Sequence, residues 1–179
     1  MFINIFRQLK ELSHSQYYWL AYIALGISLL ATALFYHHVL EVMPCVVCIQ
    51  VRLLDLLLIT VATVGLFSRG NRALNAIAHL SLVITNIIFV ERSYLLLGTE
   101  RGFVFSDCGF DLGLPAWLAI EEWLPWLFRV EASCGFTPEL IFGITMAEAL
   151  MVLSVLLLLV SFCVSLVYLL NIKQGGKTL

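Results

Sequence analysis

The stretch PCVVCIQVRLLDLLLITVATVGLF, residues 44–67, opens on a proline and a C-x-x-C pair and then runs almost unbroken through Val, Ile, Leu and Ala to Phe67. Crossing the hydrocarbon of a bilayer as a helix takes about 20 mainly apolar residues. Residues 46–67 supply that length, with Arg52 and Asp55 as the only charged interruptions. Three further runs of the same kind flank it: residues 17–36, residues 73–97 with Glu91 and Arg92 near the end, and residues 144–170. The expectation is an all-α membrane protein, a single integral domain over residues 1–179 built as a four-helix transmembrane bundle.

Composition agrees with that solvent. Residues A, V, I, L, M, F, W, Y and C make up 61% of the 179 and D, E, K and R only 12%, against roughly 45–50% and about 25% in a soluble domain. A water-soluble globule and a disordered chain are both excluded. The net charge of −2 shows none of the basic bias of a nucleic-acid binder. The first apolar run, at about 20 residues, exceeds the 7–15 of a signal-peptide core and lacks a clear A-x-A site, so it reads as a span rather than a cleaved leader.

Orientation follows from Lys and Arg in the short loops, which favour the cytoplasm. Arg7 and Lys10 precede the first span, Arg69 and Arg72 sit between the second and third, and Lys173 and Lys177 follow the fourth. The opposite side receives the short loop around Glu41 and the long loop 98–139, where Arg101 and Arg129 face seven acids. Both termini are therefore expected in the cytoplasm, and Cys45, Cys48, Cys108 and Cys134 outside, where disulfides persist. Within the long loop, LPAWLAIEEWLPWLFR (114–129) carries three tryptophans, a residue type suited to the headgroup zone. A short interfacial helix, broken or bent near Pro125, is expected there, the alternative being a fifth core helix packed on the bundle.

The C-x-x-C pair begins the second span, where the helix N-terminus lowers a thiol's pKa and the thiolate is the exchanging species. A disulfide between such near neighbours closes too short a loop to stabilise much, so Cys45 and Cys48 read as a reversible redox pair. Arg52 stands one turn deeper on the same face. It either holds the Cys48 thiolate beside an electron acceptor or is neutralised by Asp55 at i+3, and the two readings are compatible. Cys108 and Cys134, 26 positions apart in the outer loop, read as a second disulfide, either a staple or, if exposed, a labile exchange partner. Zinc is disfavoured because only one pair has C-x-x-C spacing. His37 and His38 close the first span beside the pair, solvated or exchanging protons with an acceptor; Cys163 reads as an apolar filler.

Four spans, P-C-V-V-C-I-Q-V-R from Pro44 to Arg52, two outer cysteines 26 apart and the P-A-W-L…E-E-W-L-P segment between them together resemble the disulfide bond formation protein B (DsbB) family of bacterial inner-membrane quinone reductases. The resemblance implies a relay. A reduced, periplasmic, DsbA-like thioredoxin-fold oxidase attacks Cys108 of the Cys108–Cys134 disulfide, electrons pass to Cys45–Cys48, and Cys48 delivers them to ubiquinone or menaquinone from the membrane pool, held near Arg52. It also implies quinone contacts at Met146 and, in place of a family histidine, at Arg92. Val51 departs from the family, which often has an acid there. The alternatives are a variant dedicated to one client enzyme and a non-enzymatic four-span assembly or transport subunit with structural disulfides.

Overall fold

A computed structural model describes residues 2–104, 120–132, 138–141 and 143–175. It contains helices α1 (Phe2–His14), α2 (Gln16–His38), α3 (Val46–Phe67), α4 (Arg72–Arg101), the short α5 (Ile120–Trp123) and α6 (Pro125–Phe128), and α7 (Met146–Gly175). Four of them, over Gln16–His38, Val46–Gly70, Arg72–Arg101 and Met146–Ile172, are long and apolar enough to cross a membrane. The all-α four-helix bundle expected from the apolar runs is the fold. Its one β element among the described residues is a ribbon of β1 (Glu139–Ile141) and β2 (Ile144–Thr145), antiparallel, with Glu139 opposite Thr145 and Ile141 opposite Ile144.

Local chemistry sets the helix ends. Ser15 caps α2 by accepting the Tyr17 N–H on Oγ at 3.1 Å, and Asn71 caps α4 through the N–H groups of Ala73 and Leu74. The third span runs to Arg101, four residues past the expected 97, and stops where Gly102 turns left-handed at φ 73°, a conformation that costs glycine little. The fourth helix starts at Met146 rather than 144 because Ile144 and Thr145 pair with β1. Thr145 and Glu148 then exchange side-chain and backbone hydrogen bonds, 3.2 and 3.3 Å, a capping box that satisfies two orphan N–H groups. The expected break near Pro125 is present, with α5 ending and α6 beginning on either side of Leu124.

The bundle is inverted relative to a soluble protein. Ile27, Val64, Ile84, Val152 and Phe162 point outward, where lipid is as apolar as they are. The interior is filled by Trp19, Leu58, Leu82, Phe89 and Val164. Interhelical hydrogen bonds cross it: Tyr22 Oη donates to Leu157 O at 2.9 Å and Asn86 Nδ2 to Ser161 Oγ at 3.0 Å. Gly65 lets α3 reach Trp19, since a Cβ there would fall 2.4 Å from the indole. His79, fully buried, packs its ring among Tyr18, Trp19 and Tyr168 with centroids 4.6–5.6 Å away.

The N-terminal segment, read from sequence only as a basic tail, is a helix. Leu9 and Leu12 of α1 pack against the main core, and α1 lies along α7.

Candidate functional site

Cys45 is the N-cap of α3, in extended conformation at φ −85°, ψ 169°, and its Sγ accepts the Cys48 N–H at 3.3 Å. The two sulfurs stand 2.8 Å apart, so a bond of about 2.05 Å needs only a small closing movement. Cys45 is buried, yet its thiol pKa is brought down to about 7 by the hydrogen bond from the Cys48 thiol, with the N–H groups of Cys48 and Val47 adding to it against the effect of burial. These are the unpaired donors of a helix N-terminus. A thiolate shared at this cap is the species that attacks a disulfide.

Cys48 opens on the other side into a cavity of about 160 Å³, walled mainly by apolar groups such as Leu29, Phe89 and Leu153 and reached by Arg52, Asp55 and Met146. For scale, an apolar cavity of about 150 Å³ takes a benzene ring. Cys48, Arg52 and Asp55 fall at i, i+4 and i+7 of α3, which puts all three on one face.

Arg52, 6% exposed, donates to Leu127 O at 3.0 Å, Ala33 O at 3.2 Å and His37 Nδ1 at 3.4 Å. Leu127 lies in the last turn of α6, where carbonyls lack helical partners, so the guanidinium both finds an acceptor and pins α6 to the bundle. The neutralising pair with Asp55 is not formed. Asp55 is buried and its Oδ1 has no hydrogen-bond partner.

His37 is the hinge of the polar wall. Because Arg52 can only donate, His37 Nδ1 accepts, and in the neutral ring Nε2 carries the hydrogen that faces Glu131 Oε2 at 3.4 Å. His37 borders the apolar cavity on one side and, on the other, an open polar vestibule of about 610 Å³ shared with Trp126, Arg129 and Glu131. His38 stacks on His37 with centroids 4.3 Å apart. The loop end docks here as well. Pro44 O accepts from the N–H groups of Glu131 and Ala132 at 3.0 and 3.2 Å, and Ala132 bridges Cys45 in parallel.

Of the residues singled out from sequence, Cys45, Cys48, Arg52 and Met146 therefore converge on one place. Arg92 does not line the cavity; it donates to Gln50 Oε1 at 3.1 Å. Cys163 is exposed on α7. Cys108, Cys134 and their expected pairing lie outside the described residues. Sequence reading missed the Glu131–His37–Arg52 chain and the role of Leu127 O, since neither the turn of α6 nor a contact across 94 positions leaves a local signal.

Residues 15–164 match the family profile described as disulfide bond formation protein DsbB. Among similar proteins, a disulfide bond formation protein B of Psychromonas ingrahamii is 31% identical over 148 residues, 80% of this chain and 78% of the relative. One of Shewanella loihica is 30% identical over 80% of this chain and 85% of its own length. Disulfide bond formation protein B 2 of Pseudomonas aeruginosa is 30% identical over 80% and 86%. With the profile covering most of the chain and a C-x-x-C pair at the mouth of a membrane-spanning helix, this multi-pass membrane protein belongs to the disulfide bond formation protein B family and is an oxidoreductase of disulfide formation.

Proposed function

We propose that this chain reoxidises a periplasmic DsbA-like thioredoxin-fold oxidase by disulfide exchange and delivers the electrons to a membrane quinone, ubiquinone or menaquinone. The observation that carries the reading is the direct opening of Cys48 into a ring-sized apolar cavity that also holds a buried guanidinium. The residues fit such a group: apolar walls, Arg52 as a fixed cation, and Met146 as an adaptable contact. When bound, a quinone supplies a two-electron, two-proton acceptor, so that a dithiol enters, a disulfide leaves and a quinol is released.

In this reading the partner's thiolate attacks Cys108 and displaces Cys134, and the electrons then move to the Cys45–Cys48 pair. Cys45 suits the exchange step, because its thiol is tuned to about 7 and its backbone is bridged to Ala132, two residues before Cys134 in the sequence. Cys48 suits the delivery step through its place in the cavity wall, with Arg52 held by two carbonyls and available to favour negative charge beside it. Termini in the cytoplasm and both cysteine pairs in the periplasm complete the proposal, supported by the six basic residues on one side.

The test mixes the purified protein with a reduced periplasmic thioredoxin-fold oxidase and a soluble quinone and follows quinone absorbance. Cys48→Ala and Cys108→Ala are expected to stop its consumption. Arg52→Ala is expected to slow it by about 10- to 100-fold, the loss of a hydrogen bond to a charged group at about 1.5–3 kcal/mol. Equal consumption by all variants would exclude the relay.

A further inference from the structure

We propose that Glu131 and His37 are positioning residues for Arg52: the carboxylate fixes the histidine tautomer, and the fixed tautomer aims the guanidinium, whose task beside the ligand rests on the quinone reading above. The His37 side chain is 9% exposed and that of Glu131 36%, so water reaches the carboxylate but little of the ring. Nε2 lies 3.4 Å from Glu131 Oε2, and Nδ1 lies 3.4 Å from Arg52 Nη1. A carboxylate only accepts and a guanidinium only donates. Both ends therefore demand the same ring, with the hydrogen on Nε2 and the lone pair on Nδ1. The backbone brings the three side chains together. Pro44 O, next to Cys45, accepts the N–H groups of Glu131 and Ala132, while Ala33 and His37, one turn apart on α2, supply two of the three acceptors of Arg52.

Which nitrogen of a neutral imidazole carries the hydrogen is set by the partner of the other one. Carboxylates orient metal-bound histidines by the same device, and here a guanidinium stands where the metal would. Without the carboxylate, the tautomer with its hydrogen on Nδ1 becomes accessible. That N–H would oppose the Arg52 N–H, donor against donor, and Nη1 would keep Leu127 O as its one acceptor. Arg52 borders the cavity that Cys48 opens into, so an ill-aimed guanidinium is felt at the delivery step. The docked segment after α6 thus does more than cover the mouth of α3. Through Leu127 O and Glu131 it completes the surroundings of the one buried cation beside Cys48.

Two measurements on the full chain test this. Nitrogen NMR of quinone-free protein with isotope-labelled histidine reports the ring tautomers, and the His37 signals are assigned by their loss in His37→Asn. The hydrogen is expected on Nε2, and Glu131→Ala is expected to turn His37 into a mixture of both tautomers. The second measurement follows the absorbance of a soluble quinone in a single turnover of pre-reduced protein, so that no partner oxidase is needed. Glu131→Ala is expected to slow this turnover by about three- to tenfold, the loss of one ordinary hydrogen bond. It is expected to have no effect in Arg52→Ala, or in His37→Asn, whose amide oxygen can replace Nδ1 as acceptor and has no tautomer to fix. Equal slowing by Glu131→Ala in all three backgrounds would mean that it acts through loop docking and not through Arg52. That result, or an unchanged tautomer or an unslowed turnover in Glu131→Ala, overturns the positioning role and leaves the quinone reading standing. Failure of the pre-reduced protein with Glu131, His37 and Arg52 intact to consume quinone overturns both.

Discussion

Arg52 and Asp55 are three positions apart on one helix, a spacing that favours an ion pair, and yet they part company. Side chains on a helix lean toward its N-terminus. The long guanidinium of Arg52 therefore climbs toward the C-x-x-C end of α3, where Leu127 O, Ala33 O and His37 wait, and the short Asp55 carboxyl stays about 4.5 Å deeper along the axis. The planar fork matches these separate acceptors, which a single ammonium point charge does not. Arg52→Lys is accordingly expected to recover little of the quinone reduction lost in Arg52→Ala, measured by the same absorbance assay. Cys45 gives a second test. Its pKa is lowered to about 7 chiefly by the Cys48 thiol, so above that pH the thiolate dominates and alkylation reaches its plateau. In protein that keeps Cys45 and Cys48 and has serine at its other cysteines, the alkylation rate of reduced Cys45 is expected to titrate near 7. Replacing Cys48 with Ala removes the leading cause and leaves burial opposed only by the backbone N–H groups, which moves the midpoint upward.

The four long helices were legible because apolar length in this chain is unambiguous, and Pro44 with the C-x-x-C pair marks where α3 begins. What the pattern did not carry was contact. The Ser13-Ser15 junction hides the fact that α1 is a separate helix folded back on α7, since a short amphipathic segment beside a span reads equally well as a tail. Arg92, a quinone contact only by resemblance to the family, donates to Gln50 Oε1, a contact across 42 positions that no local pattern carries. The small residues show the same dependence on a partner. Gly65 means little in sequence and much against Trp19, because any side chain there must push an indole out of the core. Gly65→Ala is expected to destabilise the bundle by about 1–3 kcal/mol, the usual range for overpacking, seen as a lower thermal midpoint in detergent with altered tryptophan fluorescence. Gly70, with nothing within 4 Å, is expected to accept alanine without a measurable shift.

Taken whole, the molecule is a membrane bundle with its chemistry gathered at one end. Cys45, the vestibule bordered by His37, and the docked residues Glu131 and Ala132 all stand at the α2–α3 mouth, whereas the basic loop at Arg69 and Arg72 closes the other end of α3. If Lys and Arg hold that loop in the cytoplasm, the redox end must face the periplasm, and disulfide exchange with an outside partner needs no movement across the bilayer. Two exposed positions separate the orientations. Leu40, 51% exposed, lies in the loop beside the C-x-x-C pair, and Gly70 lies in the opposite loop. In a cysteine-free background, a membrane-impermeant maleimide is expected to label Leu40→Cys in cells whose outer membrane alone is opened, and Gly70→Cys only after the inner membrane is permeabilised. The reverse pattern would put the vestibule in the cytoplasm, where glutathione and thioredoxin keep thiols reduced, and disulfides generated at that end would not persist.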